Sequence, residues 1–282
     1  MTTLPAHVGV FGGGRMGAGI AHAFLIGGSD VVLIEASSEA VDAANERVAL
    51  SLAASDKRGL LDDPIEAHMA RLNVTQDHQA LAGAGLVVEA VPEDPAVKAA
   101  VFEAIEAVVA DDAVLASNTS SLSIDGLAKG LRLPARFLGF HFFNPVPTSA
   151  LVEIVTGQAT SPDTVATAQG WVAGLGKTAV TVKDAPGFAS SRLGVAIALE
   201  AMRMVDEGVA SVEDIDAAMT LGYKHPVGPL RTTDLVGLDV RLAIAEHLER
   251  ELGPRFAPPK VLRDKVAAGS LGKKTGRGFY DW

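Results

Sequence analysis

Histidine is the side chain best suited to exchange a proton near neutral pH, and one of the seven histidines in this chain has unusual surroundings. His141 comes late in the apolar run 137–143, immediately before Asn144 and Pro145. A histidine among aromatic residues is often only a core residue, so its position alone leaves catalysis and packing both open. The others lie in the N-terminal segment, in helix-like segments of mixed polarity, or beside a proline: His7, His22, His68, His78, His247 and His225.

An acid and a polar run are candidates to assist His141. Glu153 interrupts the apolar run 151–155, and a carboxylate buried in a strand is costly unless it is paired. Pairing with His141 would orient the imidazole and stabilise its protonated form, as a carboxylate does in hydrolase triads. The run 117–121 (Ser-Asn-Thr-Ser-Ser) follows another apolar segment and offers hydroxyl donors, with the alternative that Ser121 or Ser123 caps the next helix.

A glycine-rich turn near the start of the chain predicts a dinucleotide site. Gly12, Gly14 and Gly17 fit G-x-G-x-x-G directly after an apolar run, with Arg15 and Met16 between the last two glycines. In such a turn the first glycine allows the tight bend, the second lets the backbone approach the pyrophosphate, and the third lets helix and strand pack closely. The helix N-terminus adds free N–H groups and a positive dipole end.

The choice of cofactor depends on Glu35, which ends a second apolar run 18 residues after Gly17. An acid at this position can accept hydrogen bonds from both ribose hydroxyls and would repel the 2′-phosphate of NADP. The residues that follow, Ala36 to Ser38, include no arginine to bind such a phosphate. We therefore expect NAD, with a solvated acid at a strand end as the alternative interpretation of Glu35.

Alternating strand and helix patterns must position these groups. In residues 1–184 the alternation predicts a Rossmann-type, doubly wound α/β domain, with a mostly parallel sheet covered by helices on both faces. Strand ends at the carboxyl edge of such a sheet are where ligands bind. The predicted strands are 8–12, 31–35, 73–76, 86–91, 114–117, 137–143, 151–155 and 178–182, and the main predicted helices are 15–26, about 38–57, 95–109 and 162–175.

The pattern changes after Asp184, and residues 185–282 have the periodicity of helices alone. We expect an all-α C-terminal domain for substrate binding and dimerisation. Its long apolar helix, 187–207, has Leu193, Ile197, Ala201 and Met204 on one stripe. A helix this apolar should be buried on most sides, either in the domain core or in a dimer interface. A symmetric homodimer is the favoured assembly.

Composition excludes several classes of protein. The formal net charge is −10, so nucleic acid is not an expected partner. There is no cysteine, which rules out disulfides and thiolate metal sites, and no metal is expected. We see no secretory signal and no apolar stretch long enough to span a membrane, so the expected location is cytoplasmic.

Taken together, these motifs resemble the 3-hydroxyacyl-CoA dehydrogenase family, which includes bacterial 3-hydroxybutyryl-CoA dehydrogenases. They occur in the family's order and cover essentially the whole chain. The resemblance implies NAD-dependent oxidation of an (S)-3-hydroxyacyl-CoA, of short chain, to the 3-oxoacyl-CoA, and a place in fatty acid metabolism. The matching stretches are 12–21 (GGGRMGAGIA), 88–102 (VEAVPEDPAVKAAVF), 117–124 (SNTSSLSI), 141–145 (HFFNP), 151–154 (LVEI), 186–193 (PGFASSRL), 225–239 (HPVGPLRTTDLVGLD) and 272–280 (GKKTGRGFY).

The resemblance also implies roles for individual residues. His141 would be the general acid and base, with Glu153 as its partner. Ser120 would hydrogen-bond the reacting oxygen of the substrate, and Asn144 would shape the site near the nicotinamide.

Other residues would bind the cofactor and the CoA ester. Glu93 and Lys98 resemble the family's cofactor-contacting pair, or are a surface pair five residues apart, and Asn118 would lie beside the nicotinamide. Lys57 and Arg58 resemble the basic patch that meets the CoA phosphates, with a solvated helix end as the alternative.

Two positions depart from the family pattern. Ser191 stands where the family usually has asparagine, so a contact to the thioester end is in doubt. Arg231 stands where a less basic residue is expected and could meet an acidic acyl tail, as in 3-hydroxyadipyl-CoA. Alternatives from other classes are a dehydrogenase of free hydroxy acids on the same scaffold, and a nucleotide-binding or crystallin-like protein without catalysis.

Overall fold

The computed structural model describes residues 3–282. The chain divides after Asp184 into two compact units, and the second is Ala185–Trp282. Within the described residues, no helix combines the length and the apolar character needed to cross a bilayer.

The first unit is built on one eight-stranded sheet with the order β3-β2-β1-β4-β5-β6-β7-β8. Every neighbouring pair is parallel except β6 and β7, which are antiparallel. This order and the helices around the sheet confirm the predicted Rossmann-type fold. The strands are β1 (His7–Phe11), β2 (Asp30–Ile34), β3 (Leu72–Thr75), β4 (Leu86–Glu89), β5 (Val114–Ser117), β6 (Phe137–Phe142), β7 (Leu151–Thr156) and β8 (Thr178–Lys183).

The helices of this unit begin where polar side chains or proline favour a first turn. The Ser37 hydroxyl accepts a hydrogen bond from the N–H of Ala40. The Asp94 carboxylate accepts from the N–H groups of Ala96 and Val97, which follow Pro95 in the first turn of the helix. The helices are α1 (Arg15–Ile26), α2 (Ser38–Asp56), α3 (Ile65–Met69), α4 (Pro95–Glu106), α5 (Ile124–Ala128) and α6 (Pro162–Gly174).

Side chains alternate between the two faces of the sheet, and the register decides which of them share a face. Leu138, Phe140 and Phe142 of β6 belong to the large apolar core that includes buried residues of α1 and α6. The opposite face of β6 carries Gly139 and His141. Because β6 pairs with β5 and β7, this second face also includes Ser117 of β5 and Glu153 of β7.

The second unit is helical, with its own apolar core. Its helices are α7 (Ser190–Asp206), α8 (Val212–Ala217), α9 (Pro229–Val236), α10 (Leu238–Leu252) and α11 (Lys260–Ala267). Two buried carboxylates hold the C-terminal segment to this core. Asp234 accepts hydrogen bonds from the backbone N–H groups of Phe279 and Tyr280, and Asp216 accepts from the Tyr280 hydroxyl.

Helix α7 differs from its prediction in two ways. It begins at Ser190 rather than at 187, because Gly187 and Phe188 have left-handed φ angles of +73° and +49°. Its buried face includes Val195, Ala198, Leu199 and Met202, whereas Leu193 is 63% exposed and Ile197 is 38% exposed. Of the two predicted alternatives for this stripe, Leu193 and Ile197 do not belong to the core of the domain, whereas Ala201 does.

Candidate active site

His141 and Glu153 form a buried pair at one edge of the sheet. His141 Nδ1 lies 2.9 Å from Glu153 Oε2, and the two residues are 6% and 1% exposed. They are direct partners in the antiparallel register of β6 and β7, so both side chains point to the same face. The sequence suggested this pairing because burying an unpaired Glu153 carboxylate in an apolar strand would be unfavourable. The register of β6 and β7 places His141 opposite Glu153 and so provides the partner.

Gly139 makes room on the face that His141 occupies. A Cβ there would lie 2.8 Å from Val155 Cβ and 2.9 Å from Ile124 Cδ1. Strand β6 also continues past the end of β5, since Ser117, the last residue of β5, is opposite Gly139. His141 therefore projects beyond the carboxyl end of β5, towards the loop that contains Ser120.

The loop after β5 is organised by Glu93. One carboxylate oxygen of Glu93, Oε1, accepts hydrogen bonds from the Thr119 hydroxyl at 2.6 Å and the Ser120 N–H at 2.9 Å. The Ser121 hydroxyl and N–H lie at 3.0 and 3.1 Å from the same oxygen. Glu93 thus fixes the backbone that carries Ser120. Of the predicted alternatives for these serines, the helix cap is Ser123, whose hydroxyl accepts from the Gly126 N–H.

The surroundings of Glu93 lower the pKa of its carboxyl group. Burial, the largest single effect, would raise the pKa of this carboxyl, but the hydrogen bond from Thr119, the Lys98 ammonium and the donors of Ser120 and Ser121 together hold its pKa below the ordinary value. Glu93 therefore keeps its acceptor character over a wide pH range.

Lys98 is not the surface residue that one interpretation of the sequence suggested. Its side chain is 1% exposed, and Nζ lies 2.6 Å from Glu89 Oε1 and 3.2 Å from Glu93 Oε2. Lys98 also shares the buried face of α4 with Val101, Phe102 and Ile105. Its contact with a cofactor remains a prediction, because in this structure the ammonium serves two carboxylates.

The sequence analysis missed Glu89, which is fully buried at the end of β4. The signal was available, because Glu89 ends the apolar run Leu86–Glu89 just as Glu153 interrupts another. The same cost argument applies to both acids.

Two asparagines predicted to be part of the site are Asn118, in the loop after β5, and Asn144, three residues after His141. The Asn118 side-chain oxygen accepts a hydrogen bond from the Phe142 N–H at 2.8 Å, which ties the loop after β5 to β6. Asn144 is exposed and begins the turn after β6. The Lys177 ammonium holds this turn by donating to the carbonyl oxygens of Val146 and Ser149, at 2.7 and 2.5 Å.

The glycine-rich turn has the shape that a dinucleotide requires. Gly12 has a φ of +98°, and a Cβ at Gly17 would lie 1.7 Å from the Gly12 carbonyl oxygen. A Cβ at Gly14 would meet nothing within 4 Å, so a ligand can approach this backbone closely. Within residues 3–282 no side chain caps the N-terminus of α1, which begins at Arg15, so its first N–H groups could bind the phosphates of a dinucleotide.

Glu35 and Arg47 hold the turn from two sides. Glu35 Oε1 accepts a hydrogen bond from the Gly13 N–H at 2.7 Å, and Arg47 donates to the Gly13 carbonyl oxygen at 3.1 Å. Arg47, which the sequence analysis did not select, also lines a cavity of about 430 Å³ with Arg15 and Ser51. The residues present therefore fit a pyrophosphate and a ribose.

The remaining predicted residues lie elsewhere. Lys57 and Arg58 are exposed at the end of α2, and Met16 is half-buried in the first turn of α1. Ser191 lies in the first turn of α7, in the second unit. Arg231, also in the second unit, stacks its guanidinium over the Tyr280 ring at 4.1 Å.

The fold and the site define the class of protein. A Rossmann-type sheet with a glycine-rich turn and an acid at the end of β2 binds a nicotinamide dinucleotide, and a histidine–carboxylate pair at the same edge can exchange a proton with a hydroxyl group. Two family models match the chain: "3-hydroxyacyl-CoA dehydrogenase, NAD binding domain" over residues 7–185, and "3-hydroxyacyl-CoA dehydrogenase, C-terminal domain" over residues 187–282. The chain belongs to the 3-hydroxyacyl-CoA dehydrogenase family and is an NAD-dependent oxidoreductase acting on CH–OH groups.

Relatives match over nearly full length. The chain is 42% identical over 275 residues to the probable 3-hydroxybutyryl-CoA dehydrogenase of Deinococcus radiodurans, covering 97% of this chain and 99% of the relative. It is 42% identical over 279 residues to the 3-hydroxybutyryl-CoA dehydrogenase of Mycobacterium tuberculosis, covering 98% of each. Among solved structures, the (S)-3-hydroxybutyryl-CoA dehydrogenase PaaH1 from Ralstonia eutropha superposes with a TM-score of 0.94 at 40% identity, covering 99% of both chains.

Proposed function

We propose that this chain catalyses the reversible, NAD-dependent oxidation of a short-chain (S)-3-hydroxyacyl-CoA, such as 3-hydroxybutyryl-CoA, to the 3-oxoacyl-CoA. The observation that carries the proposal is the buried His141–Glu153 pair, with Nδ1 and Oε2 2.9 Å apart, at the carboxyl edge of an NAD-binding sheet. The substrates named for its relatives support a four-carbon acyl group and do not favour 3-hydroxyadipyl-CoA or a free hydroxy acid.

The pair determines which nitrogen of His141 can react. Because Nδ1 faces the Glu153 carboxylate, Nδ1 carries the proton of a neutral imidazole and donates it to Oε2. Nε2 is then the acceptor, so it removes the proton from the substrate hydroxyl. Glu153 stabilises the imidazolium that results, and in the reverse reaction His141 returns the proton.

Bound NAD supplies the hydride acceptor for this reaction. The turn through Gly12, Gly14 and Gly17, with the backbone at Arg15 and Met16, would hold its pyrophosphate. Glu35 would accept hydrogen bonds from the hydroxyls of its adenosine ribose. Glu93 and Lys98 would contact the cofactor as well, and Asn118 would lie beside the nicotinamide. Ser120 would donate a hydrogen bond to the reacting oxygen, and Asn144 would border the site.

In this proposal the two units have different functions. Residues 1–184 would bind NAD and carry the acid–base pair, and residues 185–282 would contribute to substrate binding and dimerisation. Lys57 and Arg58 would meet the CoA phosphates. Ser191 would contact the thioester end over a shorter reach than the asparagine usual in the family.

Steady-state kinetics test the proposal. Rates with (S)-3-hydroxyacyl-CoA esters of increasing chain length should be highest at four carbons, with NAD strongly preferred to NADP. The His141→Ala variant should lose at least about a hundredfold in kcat while the Kd for NAD stays within about twofold. Equal turnover of free 3-hydroxybutyrate, or loss of NAD binding in His141→Ala, would contradict the proposal.

We propose further that the protein is a homodimer formed through its C-terminal helical domain, which would cover apolar side chains that are exposed there. Leu193→Asp should produce monomers in light scattering, whereas Leu60→Asp, at an equally exposed leucine of the first unit, should leave the dimer intact. Monomeric wild-type protein would refute the dimer. The exposed side chains are Leu193, Ile197, Val209, Leu221, Tyr223, Leu235, Val236 and Val240.

The proposed location is the cytoplasm, and the proposed role is in fatty acid metabolism. Both agree with the need for NAD and an acyl-CoA in one compartment. Fractionation of cells that make the protein, with a cytoplasmic marker as reference, tests the location.

A further inference from the structure

Glu89 is a buried carboxylate that the reaction above does not use. It is fully buried at the end of β4, on the same face of the sheet as Ser117 and His141. Its Oε1 accepts hydrogen bonds from Lys98 Nζ at 2.6 Å and from the Val91 N–H at 2.7 Å, and its Oε2 accepts from the Ser117 hydroxyl at 2.6 Å. A buried acid that engages so many donors fixes the position of each of them.

Lys98 connects Glu89 to the loop that contains Ser120. The Lys98 ammonium lies between two carboxylates, 2.6 Å from Glu89 and 3.2 Å from Glu93. Because the Lys98 side chain is 1% exposed, its ammonium depends on these carboxylates and not on bulk water for its stabilisation. The position of Glu93 Oε2 therefore depends on how Glu89 holds the ammonium.

The other oxygen of Glu93 sets the hydrogen bonding of Ser120. Four donors from Thr119, Ser120 and Ser121 lie within 3.1 Å of Oε1. The Ser120 hydroxyl is the most distant, at 3.5 Å. A carboxylate oxygen has few lone-pair directions, and the closer donors occupy them. The Ser120 hydroxyl is thus the group in this cluster whose proton is most easily redirected to another acceptor.

We propose that Glu89 is a positioning residue, which acts through Lys98 and Glu93 to hold the loop 119–121 so that the Ser120 hydroxyl can donate to the reacting oxygen of the substrate. This inference rests on the proposed function, because only that reaction places a substrate oxygen beside Ser120. It predicts that damage at Glu89 lowers kcat mainly through Ser120.

A double-mutant cycle with Ser120 tests this transmission. Glu89→Gln keeps the shape of the side chain but presents an amide to Lys98, and we expect kcat to fall about tenfold or more. The KM for NAD should change by a smaller factor than kcat, although Lys98 and Glu93 would also contact NAD. In a Ser120→Ala background the same change should cost less than about twofold. The matched control is Glu106→Gln, since Glu106 also anchors a loop, through the N–H groups of Arg132 and Leu133.

Hydrogen exchange provides a measurement that does not depend on activity. The amides of Ser120 and Ser121, which donate to Glu93, should exchange faster in Glu89→Gln than in wild type or Glu106→Gln. If Glu89→Gln does not fold, Glu89→Asp, which keeps the charge and withdraws it by one methylene, is tested in the same way.

The outcomes separate the two proposals. Unchanged exchange and unchanged kcat in Glu89→Gln, or an equal loss with and without Ser120, would overturn the positioning role alone. If wild-type protein turns over no 3-hydroxyacyl-CoA ester, the proposed function fails. The exchange rates at Ser120 and Ser121 then decide whether Glu89 holds the loop.

Discussion

His141 and Glu153 are opposite each other in the register of two antiparallel strands, with Nδ1 and Oε2 2.9 Å apart. The Rossmann-type sheet is otherwise parallel, and the single antiparallel pair is the one that carries the acid–base residues. Directly opposed residues in such a pair have close Cβ atoms, so a short carboxylate can reach an imidazole without bending either strand.

The first prediction concerns the Glu153 carboxylate. Glu153→Gln should keep the fold but lower kcat by at least about a hundredfold, because an amide cannot stabilise the imidazolium and can select the wrong tautomer of His141. The measurement is kcat together with the Kd for NAD, which should stay near the wild-type value. Glu103→Gln, at an exposed acid of α4, is the control and should retain activity. Wild-type turnover by Glu153→Gln would remove the argument for an acid–base pair.

The second prediction separates cofactor binding from folding. A Cβ added at Gly14 meets no protein atom within 4 Å, and the residue has φ −62°, so Gly14→Ala should unfold at the wild-type temperature. The same Cβ would stand where the pyrophosphate must approach, so the Kd for NAD should rise about tenfold or more. Gly130→Ala, equally open, is the control. Calorimetric titration that gave Gly14→Ala the wild-type Kd would place the pyrophosphate elsewhere.

The third prediction concerns cofactor selectivity. Removing the charge with Glu35→Gln should weaken NAD and reduce the discrimination against NADP by about tenfold, since repulsion of the 2′-phosphate is lost. The comparison is kcat/KM for NAD against kcat/KM for NADP in both proteins. An unchanged ratio would mean that Glu35 serves only to hold the Gly13 N–H.

The fourth prediction concerns His22, whose Nδ1 lies 2.8 Å from the Ser51 hydroxyl. Burial, assisted by His68, Lys177 and Arg58, lowers the pKa of His22 from 6.5 to about 4. Between these values the unfolded chain binds a proton that the folded chain does not. The free energy of unfolding should therefore fall as the pH drops from about 6.5 to about 4, with His22 contributing about 3 kcal/mol in total.

Chemical denaturation of wild type and His22→Gln at several pH values isolates this contribution. Glutamine does not titrate. The unfolding free energy of the wild type minus that of His22→Gln should therefore decrease as the pH is lowered through this range. Two parallel curves would show that His22 does not titrate on unfolding.

The sequence predicted the sheet and its strands well because they depend on local patterns. Short apolar runs bounded by glycine or polar residues gave every strand of the first unit to within a few residues. The helix predicted over 95–109 was likewise found as α4, which spans Pro95–Glu106. Residues 185–282 lack strand patterns and form helices.

The rest depended on which segments meet in space. Nothing local distinguishes Lys98 from a solvated lysine, because the two carboxylates that bury it come from the end of β4 and the loop after it. The face of α7 that includes Leu193 was predicted to lie either in the core or in a dimer interface, and the packing of α9 and α10 places another face in the core. Arg47 could not be recognised from a sequence motif, because it is 34 residues away in the chain from Gly13, whose carbonyl oxygen it contacts.

Because side chains alternate along β7, an insertion or deletion has a different effect before Leu151, in the turn, than after it, within the strand. Residues gained or lost in the turn between β6 and β7 would change only the connection, and the facing partners would keep their register. A single residue inserted within β7 ahead of Glu153 would send the carboxylate to the opposite face of the sheet, among the apolar side chains that pack under α1 and α6. The turn can therefore change in length where Asn144 and the residues that Lys177 holds are kept, but the strand beside it tolerates exchange of residues and not a change in their number.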